Sequence, residues 1–593
     1  MKRLVKYLAL ACIALGMTSC VQDLNTEPID PNSSTSFNQD RMFTKCYSCM
    51  AVIGQSGPGE DSDVEDIDAG TSGFYRTIWY CNELSTDEIW WIWDDAESKQ
   101  LCQTNWTGTN TMIRAIYTRL NLNIKYCNHY LRYASSETQE EKNRLAEVRW
   151  IRAFHIFYLM DMYLYAPLII EETNQFPHFL PRHKIYEWLV QELRILTGEI
   201  QDPALGEYAP LPDQRVSSYR VGKAAAQLLL ARIYLNADVY NQYNPDWTAN
   251  DTHTWDLALS AAEAVVDDNP QHSLVTAKIT TDSNFVYSAY QQLFMGDNNR
   301  ADVMKEAIFQ IYQDGLYAQS YASSMMLIGG PRLKGMNAWG IENEWHSMRT
   351  SPTMVDKFLS PMNIDRETAK EMVYDEFEMP AQLHDDRAIL CSDGLATGYK
   401  FTLVGNQDLG DTKYLFDCWA PLKFTGVYSS AALPELSPRQ STAWPDTDIP
   451  MLRLAEAYMI QAEARFRKGD KTGALGIIND VIRARANADP LPSLDEETLL
   501  DEWSREFYYE GRRRIDLVRF GRFFGELSDR YRYHWEGRMG LTDGQPFASG
   551  TPDYMNWFPV PSEDKRSNPN FKTDVENDPD NIFAAQGGDG YTY

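Results

Sequence analysis

Residues 452–487 read LRLAEAYMIQAEARFRKGDKTGALGIINDVIRARAN. The spacing predicts two helices joined at Gly469 and Asp470. On the first, Ala455, Tyr458, Ala462 and Phe466 recur along one face; on the second, Ala474, Ile478, Val481 and Ile482 do the same. Small residues let two antiparallel helices approach closely, and larger ones fill the groove between them. Ala462, Gly469, Ala474 and Ile478 fall at the offsets of a tetratricopeptide hairpin.

Beyond Pro490 and Pro492, residues 497–523 read ETLLDEWSREFYYEGRRRIDLVRFGRF, a third helix. Glu502, Glu506 and Glu510 are four residues apart and share a face, with Arg505, Arg513 and Arg519 within reach. Gly511 loosens or ends this helix. Phe507, Tyr508, Leu517 and Phe520 argue that it is buried, so its charges must be paired, because lone buried charges are costly. A structural tie between helices outweighs an active site as the reading of this constellation.

The segment 452–464, the hairpin, and the pattern Glu502, Arg505, Glu506, Glu510, Gly511, Arg513, Asp516, Leu517, Arg519, Gly521 resemble the C-terminal half of the SusD/RagB family. Residues Pro559, Pro561, Glu563, Asn568, Pro569 and Asn570 resemble that family's closing segment. The resemblance implies a mainly α fold. This is a tetratricopeptide-like helical-hairpin scaffold, a SusD-like superhelix, with long irregular loops and a few short β-hairpins. It also implies a non-catalytic surface lipoprotein that captures oligosaccharides for a SusC-like TonB-dependent outer-membrane transporter. The alternative is a peptide-capturing protein, or one that serves mainly as a structural lid of the transporter.

The N-terminus agrees. Lys2, Arg3 and Lys6 precede an apolar run over 8–17 that is too short to span a bilayer as a mature helix. It ends at Thr18, Ser19 and Cys20, which resembles a lipobox. Cleavage before Cys20 and its acylation would anchor the chain, since each buried methylene contributes roughly 0.8 kcal/mol. Residues 21–36 are polar and carry two prolines, as a tether does. Asp23, soon after the acylated Cys, resembles a surface-export signal, which implies an outer-membrane, cell-surface location. The organisation expected is a signal over 1–19, a tether over 20–45, an N-terminal helical part over 46–280, a loop-rich insertion over 281–445, and a C-terminal repeat, E-G-R-D-L helix and acidic tail over 446–593. Residues 572–593 read as a mobile tail.

Other helices follow from pattern: 111–133, 140–163 and 184–200. Residues 221–240 and 255–270 form a second repeat hairpin, interrupted by an aromatic insertion. Repeats bury their apolar faces only by stacking on one another. Short strand candidates are AIFQIY (307–312) and YKFTLV (399–404).

The 593 residues suffice for a large core. The formal net charge is −29, and it becomes three units more negative when Lys2, Arg3 and Lys6 leave with the signal. Such a surface repels nucleic acid, so no nucleic-acid partner is expected. Of nine cysteines, seven remain beyond Cys12 and Cys20. An odd count does not make a full disulfide framework. Cys46 and Cys49 lack a second pair, so zinc is not expected; free thiols, or one or two bridges, are. Asp61, Asp63, Glu65, Asp66 and Asp68 would gather calcium, but Asp66 stands where an EF-hand loop needs glycine. The loop therefore reads as solvated, with a structural calcium as the alternative and no other cofactor or metal site expected.

No nucleophile elbow, zinc-protease helix, phosphate loop or dinucleotide fingerprint occurs. Carboxylate pairs such as Asp94 with Asp95 and Asp385 with Asp386 are no more than chance in so acidic a chain. The chain reads as no enzyme and has no catalytic residue. Sugar rings present apolar C–H faces that flat aromatic side chains match. The family keeps its ligand platform on N-terminal loops and the middle insertion. Positions that fit are Trp90, Trp91, Trp93, Trp339 and Trp345, with Tyr75 and Tyr317 outside them.

Overall fold

The computed structural model describes residues 36–577 except 55–61, 92, 94, 202–209, 250–251, 281–285, 332–339, 343–344, 346, 366–367, 369–383, 392, 395–398, 401–419, 430–442, 526 and 528–552. Cys20 and its lipobox, Trp339, Asp61, Asp94 and most of the acidic tail lie outside the described residues. The main helices are α1 (Thr111–Tyr133), α2 (Gln139–Met162), α3 (Arg182–Leu196), α4 (Lys223–Leu235), α5 (Thr252–Asp267), α6 (Leu454–Arg467), α7 (Lys471–Ile477), α8 (Glu496–Phe507) and α9 (Arg513–Arg519). The fold is mainly helical.

Local chemistry sets the helix ends. Asn110 accepts from the N–H groups of Met112 and Ile113 to start α1. Thr138 and Glu141 form a capping box at the start of α2. Every residue of α2 from Leu145 onward is buried, and it packs between α1 and α3. Helix α5 packs on α4 and on α6. The two hairpins, remote in sequence, are therefore neighbours in space. Buried Ala225, Ala258, Ala262, Ala455 and Ala462 supply the small contact surfaces this needs.

Between α6 and α7 the chain turns at Gly469, whose φ of +91° suits glycine, and Asp470 caps α7 by accepting from the Gly473 N–H at 2.9 Å. Helix α8 stops at Phe507, earlier than the expected break at Gly511. Tyr509 takes φ +66° while its N–H reaches Glu88 and its hydroxyl donates to the Leu327 carbonyl at 2.9 Å. These tertiary bonds turn the chain four residues sooner than the glycine would.

The charges of this segment are paired. Glu502 meets Arg387 at 2.7 Å, Arg483 at 2.9 Å and Arg505 at 2.7 Å. Glu506 meets Arg453 at 2.6 Å and Arg485. Glu510 takes Lys423 and Arg453, and Asp516 takes Arg512 and Arg519. Farther along, Arg513 holds Asp87 at 2.8 Å and Arg514 holds Asp161. The pattern thus ties α8 and α9 to α2, to the repeats and to the N-terminal loops. It is a frame whose charged side chains are at most 10% exposed.

Strands are few. Strand β1 (Ile89–Trp91) pairs antiparallel with β3 (Met348–Thr350), and β2 (Ala307–Ile311) with β4 (Ile449–Arg453). Both ladders staple the middle region onto the helices. Helix Gln39–Ser48 packs on α1, so part of the stretch read as tether belongs to the body. Likewise, the start of the stretch read as tail is docked: Asp574 accepts from the Phe179 N–H at 2.9 Å and Val575 is buried. Cys46, Cys49, Cys81, Cys102 and Cys127 are buried free thiols. No described helix is long and apolar enough to cross a membrane.

Candidate functional site

Strand pairing builds the site. The register sets Trp91 opposite Met348 and Ile89 opposite Thr350. Trp93 leaves just beyond the end of β1, and Trp345 just before the start of β3, so the ladder delivers both indoles to one place. Their ring centres are 5.8 Å apart with planes at 33°. Tyr321 continues the row, 6.2 Å from Trp345 at 35°, and Trp444 follows, 4.7 Å from Tyr321. Trp93 is 41% exposed and the other three are half-buried. Four rings from four segments thus form a continuous, partly exposed arc.

Supports stand behind it. The Arg76 guanidinium lies 4.9 Å from the Trp345 ring centre, and its Nε donates to the Tyr80 hydroxyl at 2.7 Å. Burial pushes the Tyr80 hydroxyl up to about 12, so it stays protonated and accepts that bond at neutral pH. Trp91 abuts Trp93 edge-on at 5.3 Å and Tyr80 at 5.2 Å, and its indole N–H donates to Asp95. The Trp345 N–H donates to the Gly329 carbonyl at 2.7 Å, fixing the loop beneath the ring.

Beside Trp444 a turn begins at Asp314, whose carboxylate accepts from the N–H groups of Leu316 and Tyr317 at 2.8 and 3.0 Å. A Cβ at Gly315 would lie 2.2 Å from the Trp444 carbonyl oxygen, so only glycine permits this approach. The turn presents Tyr317, which is 86% exposed.

The sequence-predicted aromatic residues therefore divide. Trp93, Trp345 and Tyr317 reach solvent at or beside the arc. Tyr75, Trp90 and Trp91 are 1%, 4% and 1% exposed, so they belong to the core and not to a ligand surface, and Trp91 supports the arc through Trp93. Trp339 lies outside the described residues. Tyr321, Trp444 and Arg76 complete the arc. Aromatic type alone could have suggested Tyr321 and Trp444, but nothing in the sequence links them to Trp93.

The nearby carboxylates are engaged. Asp95 takes the Trp91 indole, and Asp446 accepts from the Gly315 N–H and the Tyr428 hydroxyl; in the charge frame, Asp385 is held by Arg387. In the acidic loop, Asp63 pairs with Arg119 at 2.7 Å and Lys45 at 3.2 Å, and Asp68 accepts from the Thr71 N–H. Among the described residues no group of three or more His, Cys, Asp or Glu is placed to hold a metal.

Residues 437–577 match the model of the SusD family. Across nearly its whole length the chain is 33% identical to the starch-binding protein SusD of Bacteroides thetaiotaomicron, covering 96% of this chain and 98% of that one. The chain belongs to the SusD family. Solved structures share its fold, one of them named as SusD-like. One is a carbohydrate-binding protein of Bacteroides fragilis (TM-score 0.60, 16% identity, 90% of this chain and 98% of that chain). Another is a protein crystallised with a xylogluco-oligosaccharide (TM-score 0.59, 15% identity, 90% and 97%). A third is surface glycan-binding protein A of Bacteroides fluxus (TM-score 0.58, 15% identity, 90% and 96%). The Bacteroides thetaiotaomicron relative is named for binding starch.

Proposed function

We propose that this SusD-family protein captures oligosaccharides on the Trp93–Trp345–Tyr321–Trp444 arc and passes them, unaltered, to a SusC-like TonB-dependent transporter. The observation that carries the reading is the arc itself: four rings in a row, backed by buried Arg76 and Trp91. Flat rings cover sugar C–H faces at little cost in ordering. Each covered side chain contributes roughly 1.5–3 kcal/mol at most. Three or four such contacts, less the cost of association, give micromolar to millimolar affinity, weak enough for release to a transporter.

The anchor is Cys20, acylated and joined to the body by the tether, with the body at the cell surface. Capture needs no cofactor and no cation. Calorimetry of the wild type and of Trp345→Ala and Tyr321→Ala against a panel of neutral glycans tests the reading. Binding lost in both variants supports it; undiminished binding in both overturns it. Co-purification of a TonB-dependent transporter with the tagged chain tests the handover.

A further inference from the structure

On the outer side of α1, α2 and α3 lies a cavity of about 710 Å³ that shares no residue with the arc. Its size falls within the roughly 300–1,000 Å³ typical of small-molecule sites. The half-buried indole of Trp188, on α3, lines it. Opposite stands the loop at Ile170, whose side chain is 43% exposed although apolar.

The walls are rigid. Asn128 donates to the Ile169 carbonyl at 2.9 Å, and Arg152 donates to the Ile170 carbonyl and to the Asn128 side chain. The Arg152 guanidinium lies 5.7 Å from the Trp188 ring centre, which orients the indole. Glu192 takes Arg149 through two bonds at 2.8 and 2.6 Å, and reaches Arg152 at 3.4 Å. At the rim Arg132 pairs with Glu172 at 3.2 Å. Exposed Glu171 and Gln191 complete the polar edge.

The lining therefore carries three guanidiniums and three carboxylates, with all three guanidiniums already paired to Glu172 and Glu192 and the exposed Glu171 at the edge. A charged ligand would have to break those pairs. A neutral polyol would not: its hydroxyls find donors in the guanidiniums and Gln191 and acceptors in the carboxylates, while its apolar face meets Trp188 and Ile170.

We infer that this cavity is a second carbohydrate site, taking one or two neutral sugar units of the same polymer, with Trp188 as its stacking ring. The inference rests on the glycan-capture reading above. Two sites on one chain raise the hold on a long polysaccharide without any new contact at the arc.

The test uses the full mature chain labelled with 5-fluorotryptophan. The Trp345 and Trp188 resonances are assigned from Trp345→Phe and Trp188→Phe. Soluble starch, xyloglucan, dextran and mannan are the probes. The expected result is that a glycan shifting the Trp345 resonance also shifts that of Trp188. In Trp93→Ala/Trp345→Ala, the Trp188 shift and a residual retardation in glycan-loaded gels should persist. Adding Trp188→Ala should abolish that retardation. Ile170→Trp, which fills the cavity from its exposed rim, should abolish it too without touching α3. A glycan that moves Trp345 and leaves Trp188 unmoved overturns the second site alone. If no glycan moves either resonance, the capture reading falls and takes this one with it.

Discussion

The indoles of Trp93 and Trp345 belong to segments far apart in the chain, yet their centres lie 5.8 Å apart at the end of a three-residue ladder. The ladder fixes the distance between the first two rings of the arc. Removing either ring should therefore act on binding much more than on folding. Trp345→Ala is expected to weaken glycan affinity about ten- to hundredfold, the value of one covered aromatic side chain. Buried Trp91 is the contrast: Trp91→Ala should cost about 3–5 kcal/mol of stability. Calorimetric titration together with thermal melting separates the two outcomes. Equal losses of melting temperature in both variants would remove the distinction between face and wall.

Arg76 touches Trp345 from behind and is itself buried. A guanidinium in that place holds the ring through its face and contributes about 1 kcal/mol or more. Arg76→Met should lower glycan affinity several-fold, with Arg76→Lys recovering part of it. Affinity measured by calorimetry, alongside near-ultraviolet circular dichroism of the indoles, reads the effect. Unchanged affinity and spectrum would mean that the ring is held by its loop alone.

Much of the scaffold was legible from periodicity. The helix 111–133 has the bounds the pattern implied, because Asn110 caps it and Ala134 is already extended. The repeat hairpins were legible because alanine at helical spacing has few other uses. The end of α8 was not, since Tyr509 turns there to meet Glu88 and Leu327, partners that no local pattern announces. The site was half legible. Composition marked the aromatic clusters, but an indole looks the same in a wall and on a face. Trp90 and Trp91 are both buried because β1 is covered on both sides, and Trp93 escapes only by lying past its end. Trp444 joins through Tyr321, a contact set by tertiary packing.

The acidic loop bears on cation dependence. Asp63 is spent on Arg119 and Lys45, and Asp68 on the Thr71 N–H. A calcium ion would have to compete with those bonds. Chelation with EDTA is therefore expected to leave glycan affinity unchanged and the melting temperature within about a degree, since a ligand that is not bound stabilises nothing. A melting temperature raised several degrees by added calcium would reveal a site.

The proposed acylation of Cys20 makes a prediction about anchoring. Several acyl chains at one thiol and one amine hold a protein on a bilayer durably, whereas the bare polypeptide has no described helix that could cross it. Cys20→Ala should release the chain from the membrane fraction and abolish incorporation of labelled palmitate, while the purified protein still melts and binds as the wild type does. Palmitate incorporation that survives the substitution would place the modification elsewhere.

The buried charge frame should control acid stability. Burial alone would push the Glu506 carboxyl up, but Arg485, Arg453 and Arg387 outweigh it and hold it at about 2 against an ordinary 4.5. Glu502 is held lower still, against its own burial, by Arg387, Arg505 and Arg483. A carboxyl depressed on folding binds its proton more readily in the unfolded chain. Its contribution is therefore full above pH 4.5 and lost as pH falls towards 2. For Glu506 the shift corresponds to about 3 kcal/mol. Glu506→Gln should lower stability at neutral pH by about 3–5 kcal/mol, because three buried guanidiniums each lose one of their carboxylate partners. It should also flatten the dependence of the urea midpoint on pH between 5 and 3. Binding at the arc should survive wherever the variant remains folded, since Glu506 touches no residue of it. A variant whose midpoint falls with acid as steeply as the wild type would show that the carboxyl is not the group that titrates.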